Sequence, residues 1–136
     1  MKIETGAEKP LSGKTALVLG AGGVGTAIAY GLIRRGAKVV LTDGDARQAT
    51  VLAKLFVCLA VDWETRHGVS ADLLFNCTPR GRHPNVAETP FDKHRLRPSM
   101  VVFDAVYNPE NTLLIKDARS RNCTVVTGVD MFVRQA

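Results

Sequence analysis

At 136 residues the chain has room for one domain around one core, and no more. Hydrophobic residues at 46% and charged residues at 23% are ordinary for a globular protein, and no apolar run approaches the roughly 20 residues of a membrane-spanning helix. The net charge of +5 gathers in one loop-rich stretch at Arg80, Arg82, His83, Lys93, His94, Arg95 and Arg97, with no basic helix stripe and no aromatic interleaving, which argues against nucleic acid and for a face that attracts anions.

Residues 1–14 read as a linker, broken by Gly6, Pro10, Ser12 and Gly13. The opening residues lack the apolar stretch of a secretory signal, so a cytoplasmic location is expected, or a plastid if the parent protein is from a plant. A single domain over 15–136 begins with the apolar run Thr15–Leu19, a strand covered on both faces. Between Gly23 and Arg35, residues Ala27, Ile28, Gly31 and Leu32 recur at helical spacing, and Gly36 ends the helix. Ala37–Thr42 is a second strand. Asp45 then caps a helix whose face is Ala49, Leu52, Ala53 and Phe56.

Val57–Val61 is expected as a third strand and Ala71–Asn76 as a fourth, followed by a loop over Pro79–Pro90. Met100–Ala105 is a fifth strand, Thr112–Ser120 a helix, and Cys123–Thr127 a sixth strand stopped by Gly128. Residues 129–136 begin another helix. This alternation predicts an α/β fold: a doubly wound, mainly parallel six-stranded sheet of Rossmann type with helices on both faces. Such sheets bind ligands at the carboxyl ends of their strands.

The first strand runs into Gly20-Ala21-Gly22-Gly23-Val24-Gly25, which has the G-x-G-x-x-G spacing. In a strand-turn-helix, Gly20 allows the tight turn, Gly22 lets the backbone approach a pyrophosphate, and Gly25 lets helix and strand pack closely. The helix N-terminus then offers N–H groups and a positive dipole end to the anion. Asp43 lies 23 residues after Gly20, where a carboxylate accepts hydrogen bonds from the adenine ribose and repels a 2′-phosphate, favouring NAD over NADP. Arg47 points the other way, since a nearby Arg accommodates that phosphate. Cys58, Cys77 and Cys123 show no C-x-x-C spacing and read as small core residues, and no metal site is expected.

Several strings together resemble the cofactor domain of the shikimate dehydrogenase family, including its quinate-oxidising members, and especially the form fused to dehydroquinate dehydratase. They are Pro10-Leu11-Ser12-Gly13-Lys14, the glycine loop, Asn76-x-Thr78-x-x-Gly81, Pro84-Asn85-Val86, Asp104-Ala105-Val106-Tyr107-x-Pro109, and Gly128-x-x-Met131-Phe132-Val133-Arg134-Gln135-Ala136. The resemblance implies that Gly20, Ala21, Gly22, Gly23, Val24 and Gly25 hold the pyrophosphate, and that Asp43, Gly44, Asp45, Arg47 and Gln48 hold the adenosine end. Cys77, Thr78, Ala105 and Gly128 would line the nicotinamide path, with Met131 beside the ring. Tyr107 and Gln135 would reach the carboxylate or hydroxyls of a cyclohexene or cyclohexane carboxylic acid.

Two departures stand out. NADP-using members carry an Asn-Arg-Thr string where this chain has Asp43-Gly44-Asp45, which points toward NAD. The common Ser-Met-Gly-Met is replaced by Pro79-Arg80-Gly81-Arg82. The family's catalytic lysine and aspartate belong to a substrate domain whose motifs have no match here, and its closing C-terminal helices are not matched either. The resemblance therefore implies the cofactor part of a shikimate or quinate dehydrogenase, with no catalytic residue in this chain and no turnover by it alone. Met131, Phe132 and Val133 would then form an apolar patch able to drive self-association. A dinucleotide-sensing or regulatory module on the same fold, without catalysis, is the alternative.

Overall fold

Four consecutive apolar residues, 16–19, cannot share one face of a strand. The strand β1 (Thr15–Leu19) accommodates them by lying inside a sheet covered on both sides, where all four are fully buried. The structure, a computed structural model, describes residues 10–80, 84–106, 109 and 111–127. Around β1 stand β2 (Lys38–Thr42), β3 (Leu59–Ala60), β4 (Leu73–Asn76), β5 (Val101–Asp104) and β6 (Thr124–Val126). Their order is β3-β2-β1-β4-β5-β6 and every pairing is parallel. This is the doubly wound sheet that the alternation of elements predicts.

Helices α1 (Gly23–Arg34) and α2 (Ala46–Phe56) pack on one face. There Ala29, Leu32, Ala49, Leu52 and Ala53 meet Ala16, Val18, Val39 and Leu41. The helix α3 (Leu113–Ser120) covers the other face, where Leu114 and Ala118 join Leu17, Leu19, Val40, Leu74 and Val102. Successive β1 residues thus feed opposite cores, as the two-residue strand period demands. Phe91, Leu96 and Met100, from the connection between β4 and β5, complete the second core. The expected linker is not loose where it is described: Leu11 N–H donates to the Arg35 carbonyl at 2.9 Å, and Lys38 N–H donates to the Lys14 carbonyl at 2.8 Å.

The third strand is shorter than expected. Val57 sits in the left-handed region (φ 56°, ψ 53°) as the cap that closes α2, so no strand can start there. Its side chain is 91% exposed, and only Leu59 and Ala60 pair with β2. Two short 3₁₀ helices, Trp63–Gly68 and Lys93–Arg95, occupy connections that sequence periodicity leaves blank. Among the described residues no helix is long and apolar enough to cross a membrane. The expected helix over 129–136 lies outside the described residues, and with it Met131, Phe132 and Val133.

Gly25 carries the tightest packing in the molecule's site region: a Cβ built there would collide with the Gly20 carbonyl oxygen. Gly25→Ala should therefore cost about 3 kcal/mol or more, because backbone on both sides must move. Gly23→Ala, whose new Cβ meets nothing within 4 Å, should leave stability within about 1 kcal/mol of wild type, on the favourable side. Urea unfolding midpoints check both, and a well-folded Gly25→Ala protein of unchanged midpoint would contradict the packing argument.

Candidate dinucleotide site

The strand order reverses beside β1, whose neighbours β2 and β4 lead to connections on opposite sides. Their carboxyl ends diverge there and leave a cleft of about 720 Å³. Gly20 forms its floor. At φ +104° it takes a conformation that side chains rarely adopt, its N–H donates to the Thr42 carbonyl at 2.8 Å, and an added Cβ would meet the Cys77 carbonyl at 2.8 Å. Cys77 N–H in turn donates to the Leu19 carbonyl at 2.7 Å, so the ends of β1, β2 and β4 are sewn together under the cleft.

Above that floor α1 begins without protection. Asp45 caps α2 by accepting from Arg47 N–H, and Thr112 caps α3 by accepting from Ile115 N–H. The cap of α1, Gly22, has no side chain, and its first turn holds no acidic residue. The N–H groups that open the helix are left to whatever enters the cleft. Gly22 and Gly23 are exposed, and a Cβ on either would meet no atom within 4 Å. That open space directly over unpaired donors fits a diphosphate.

Asp43 lines the cleft with its carboxylate engaged at both ends. Oδ2 accepts from Ala21 N–H at 2.7 Å, across in the glycine loop, and Oδ1 accepts from Asp45 N–H at 2.8 Å. It therefore ties the β1–α1 turn to the β2–α2 turn, a duty beyond the ribose contact expected of it. Gly44 and Gln48 also line the cleft. Gly23, Val24, Asp45 and Arg47 are exposed and do not line it, nor do Ala21 and Gly25, which are buried within the loop.

On the opposite wall a polar network sets the β4 connection. Asp104 is fully buried at the end of β5; its Oδ1 accepts from Asn76 Nδ2–H at 3.1 Å and Val106 N–H at 2.9 Å, and its Oδ2 from the Thr112 hydroxyl at 2.7 Å. Asn76, also fully buried, turns its Oδ1 to Thr78, accepting from the hydroxyl at 2.6 Å and from N–H at 3.0 Å. Thr78 and Cys77 line the cleft, and half-buried Ala105 donates its N–H to the Asn76 carbonyl at 2.9 Å. The Asn-x-Thr string is thus a buried brace whose far end reaches the cleft.

Tyr107, Gly128, Met131 and Gln135 lie outside the described residues. The lining also contains Pro79, Arg80, Pro84 and Asn85, which lie in the strings quoted above without a role assigned to them, and Trp63 and Glu88, which no motif points to. Of those two, Trp63 leaves a usable signal, as a large aromatic in an otherwise polar run from Asp62 to His67. No group of three or more His, Cys, Asp or Glu able to hold a metal occurs among the described residues.

Burial, with the Asp104 carboxylate adding to it, pushes the Cys77 thiol up to about 12. At pH 8 Cys77 should react with thiol reagents at least about a hundredfold more slowly than a free thiol, since the thiolate is the nucleophile; mass spectrometry after limited labelling checks this. Burial also raises the Asp104 carboxyl above its ordinary value, against the pull of its three donors. The folded state then keeps a proton that the unfolded chain has lost. Asp104 ionisation accordingly erodes stability as pH rises from about 4 through the raised folded value. Asp104→Asn should flatten that fall when urea midpoints are compared across pH; parallel curves for the two proteins would refute it.

Residues 15–106 match the family described as "NADP oxidoreductase coenzyme F420-dependent". The chain is 42% identical over 130 residues to the bifunctional 3-dehydroquinate dehydratase/shikimate dehydrogenase of Arabidopsis thaliana, described as chloroplastic, covering 93% of this chain and 22% of that protein. Among solved structures it is similar to quinate dehydrogenase from Corynebacterium glutamicum in complex with NAD, with a TM-score of 0.83, 32% identity, and 95% of this chain matched to 48% of that one. It is likewise similar to shikimate 5-dehydrogenase from Thermus thermophilus in complex with NADP(H) and shikimate, with a TM-score of 0.82, 32% identity, and 93% of this chain matched to 47% of that one. The chain thus spans about half the length of these two dehydrogenases. It belongs to that NADP oxidoreductase family, as an NAD(P)-binding domain homologous to those of shikimate and quinate dehydrogenases.

Proposed function

We propose that this chain is the cofactor-binding part of a dehydrogenase that interconverts 3-dehydroshikimate and shikimate, or dehydroquinate and quinate, by hydride transfer to or from NAD or NADP. The observation that carries the reading is the uncapped start of α1, facing open space over Gly22 and Gly23 at the point where strand order reverses. The similarity to shikimate and quinate dehydrogenases over nine-tenths of the chain supports the substrate class.

In this reading the N–H groups of Gly23, Val24 and Gly25, with the α1 dipole, take the pyrophosphate. Gly20 and Ala21 shape the turn beneath it. Asp43 holds that turn to the β2–α2 connection and presents its remaining lone pairs to the adenine ribose, alongside Gly44, Asp45, Arg47 and Gln48. Its negative charge disfavours a 2′-phosphate, while Arg47 favours one; the balance leans to NAD. Toward the other end of the cleft, Cys77, Thr78, Ala105, Gly128 and Met131 form the nicotinamide path, and Tyr107 and Gln135 meet a cyclohexene or cyclohexane carboxylic acid. The nicotinamide, when bound, supplies the hydride donor or acceptor.

Cys77 is a wall and not a nucleophile, because its thiol stays protonated at neutral pH. The acid/base for the alcohol proton falls, by the resemblance to shikimate dehydrogenases, to the lysine and aspartate of a substrate domain. A soluble compartment, cytoplasm or plastid, suits this role.

Titration with NADH and NADPH, read by cofactor fluorescence, should show binding of at least one with a dissociation constant near or below about 1 mM. Binding of neither at that concentration would sink the assignment. Asp43→Ala should weaken both nucleotides by loosening the glycine loop and shift their ratio toward NADPH by about tenfold, or about 1.4 kcal/mol. A ratio left unchanged would remove Asp43 from cofactor selection.

A further inference from the structure

Trp63 is the single tryptophan of the chain. It opens the 3₁₀ helix between β3 and β4, packs partly against the core shared by Leu19 and Val40, and lines the cleft with Asp43 and Gly44. Two guanidinium groups lie over its ring, that of Arg66 at 4.0 Å from the centroid and that of Arg80 at 5.0 Å. Arg66 is fixed from behind: its Nε–H donates to the Pro90 carbonyl at 2.7 Å and its Nη1–H to the Trp63 carbonyl at 2.8 Å. Arg80 is exposed, but its backbone is held by the buried brace, with its N–H donating to Thr78 Oγ1 at 3.2 Å and its carbonyl accepting from Asn76 Nδ2–H at 3.4 Å.

Two connections, β3 to β4 and β4 to β5, therefore converge to build one flat cationic wall. The opposite side of the cleft offers nothing comparable, because Gly44 has no side chain and Asp43 is engaged with the backbone. Among the described lining residues, Trp63 is the aromatic one. Two cations over a single ring repel, and the Arg66 guanidinium is lowered from its ordinary value by burial and then by Arg80. That repulsion is relieved by a ligand carrying both a π-face and negative charge.

We propose that Trp63 and Arg80 form the platform on which the adenine base of the dinucleotide lies. This rests on the dinucleotide reading above and adds to it the residues that grip the base. A purine stacks on an aromatic or guanidinium plane whatever its hydrogen-bonding edge presents. The pyrophosphate over α1 and the ribose at Asp43 then leave the base in the stretch of cleft bounded by Gly44, Gln48 and this wall.

The test titrates the wild-type chain with NAD⁺, ADP and nicotinamide mononucleotide, following Trp63 emission in parallel with calorimetric heat. Both adenine-containing ligands should quench Trp63, and the mononucleotide should not. Trp63→Leu should weaken ADP by about tenfold, and Trp63→Phe should restore most of that loss. Because Trp63 is partly core, Arg80→Gln serves as the surface variant; it should weaken the same ligand severalfold with an unchanged unfolding midpoint. Calorimetric binding of ADP with steady Trp63 emission, or with wild-type affinity in Arg80→Gln and Trp63→Leu, would overturn the platform and leave the dinucleotide site standing. No heat with any of the three ligands would overturn the dinucleotide site itself, and the platform with it.

Discussion

The start of α1 rests against the end of β1 with no side chain between them. At Gly25 the helix comes so close to the Gly20 carbonyl that one methyl group would separate the two elements. A packed interior does not yield to such an insertion by spreading the misfit, so the contact fixes where the helix starts and where it points. Its N-terminus is aimed over the C-terminal edge of the sheet, at the place where β1 has β2 on one side and β4 on the other. The cleft follows from that placement. The cap position has room to spare, since a Cβ on Gly22 would meet nothing within 4 Å, and its lack of a side chain leaves the first N–H groups of the helix to a ligand.

The two walls of the cleft are held by polar groups in contrasting ways. On the β2 side Asp43 is partly exposed and bonded to backbone N–H groups of two successive turns. Its charge is solvated in part, and it acts as a clasp. On the β4 side Asp104 and Asn76 are fully buried, and their cost of burial is offset only because the two side chains and both hydroxyls of Thr78 and Thr112 satisfy one another. The chain of bonds runs from the cap of α3 through β5 and β4 to the loop that carries Arg80. A disturbance at Thr112 thus has a physical route to the cleft, although that residue lies on the far side of β5.

Much of the fold is legible in the order of residues because its signals are local. Unbroken apolar runs mark β1 and β2, Asp45 marks the start of α2, and the glycine spacing locates the turn from β1 into α1. The third strand begins later than its apolar pattern suggests, because the run from Val57 to Val61 says nothing about backbone hand. A β-branched residue in the left-handed region is rare, and pattern reading does not anticipate it. The double attachment of Asp43 is equally hidden: spacing places a carboxylate at the strand end but not the direction of its lone pairs. Trp63 and Arg80 lie in separate connections, and only the parallel pairing of β1 with β4 brings them to one wall. The resemblance reaches the Asn76–Thr78 string, but its mechanical role emerges from the buried partner on β5.

The N-terminal end of α1 is built from main-chain groups alone, since Gly22 and Gly23 have no side chains and no acidic or basic residue occupies the first turn. Peptide N–H groups neither gain nor lose protons at physiological pH. The grip that this end offers a diphosphate is accordingly indifferent to acidity, unlike one built on histidine or lysine. Such a domain would hold its cofactor equally well in a mildly acid or a mildly alkaline compartment.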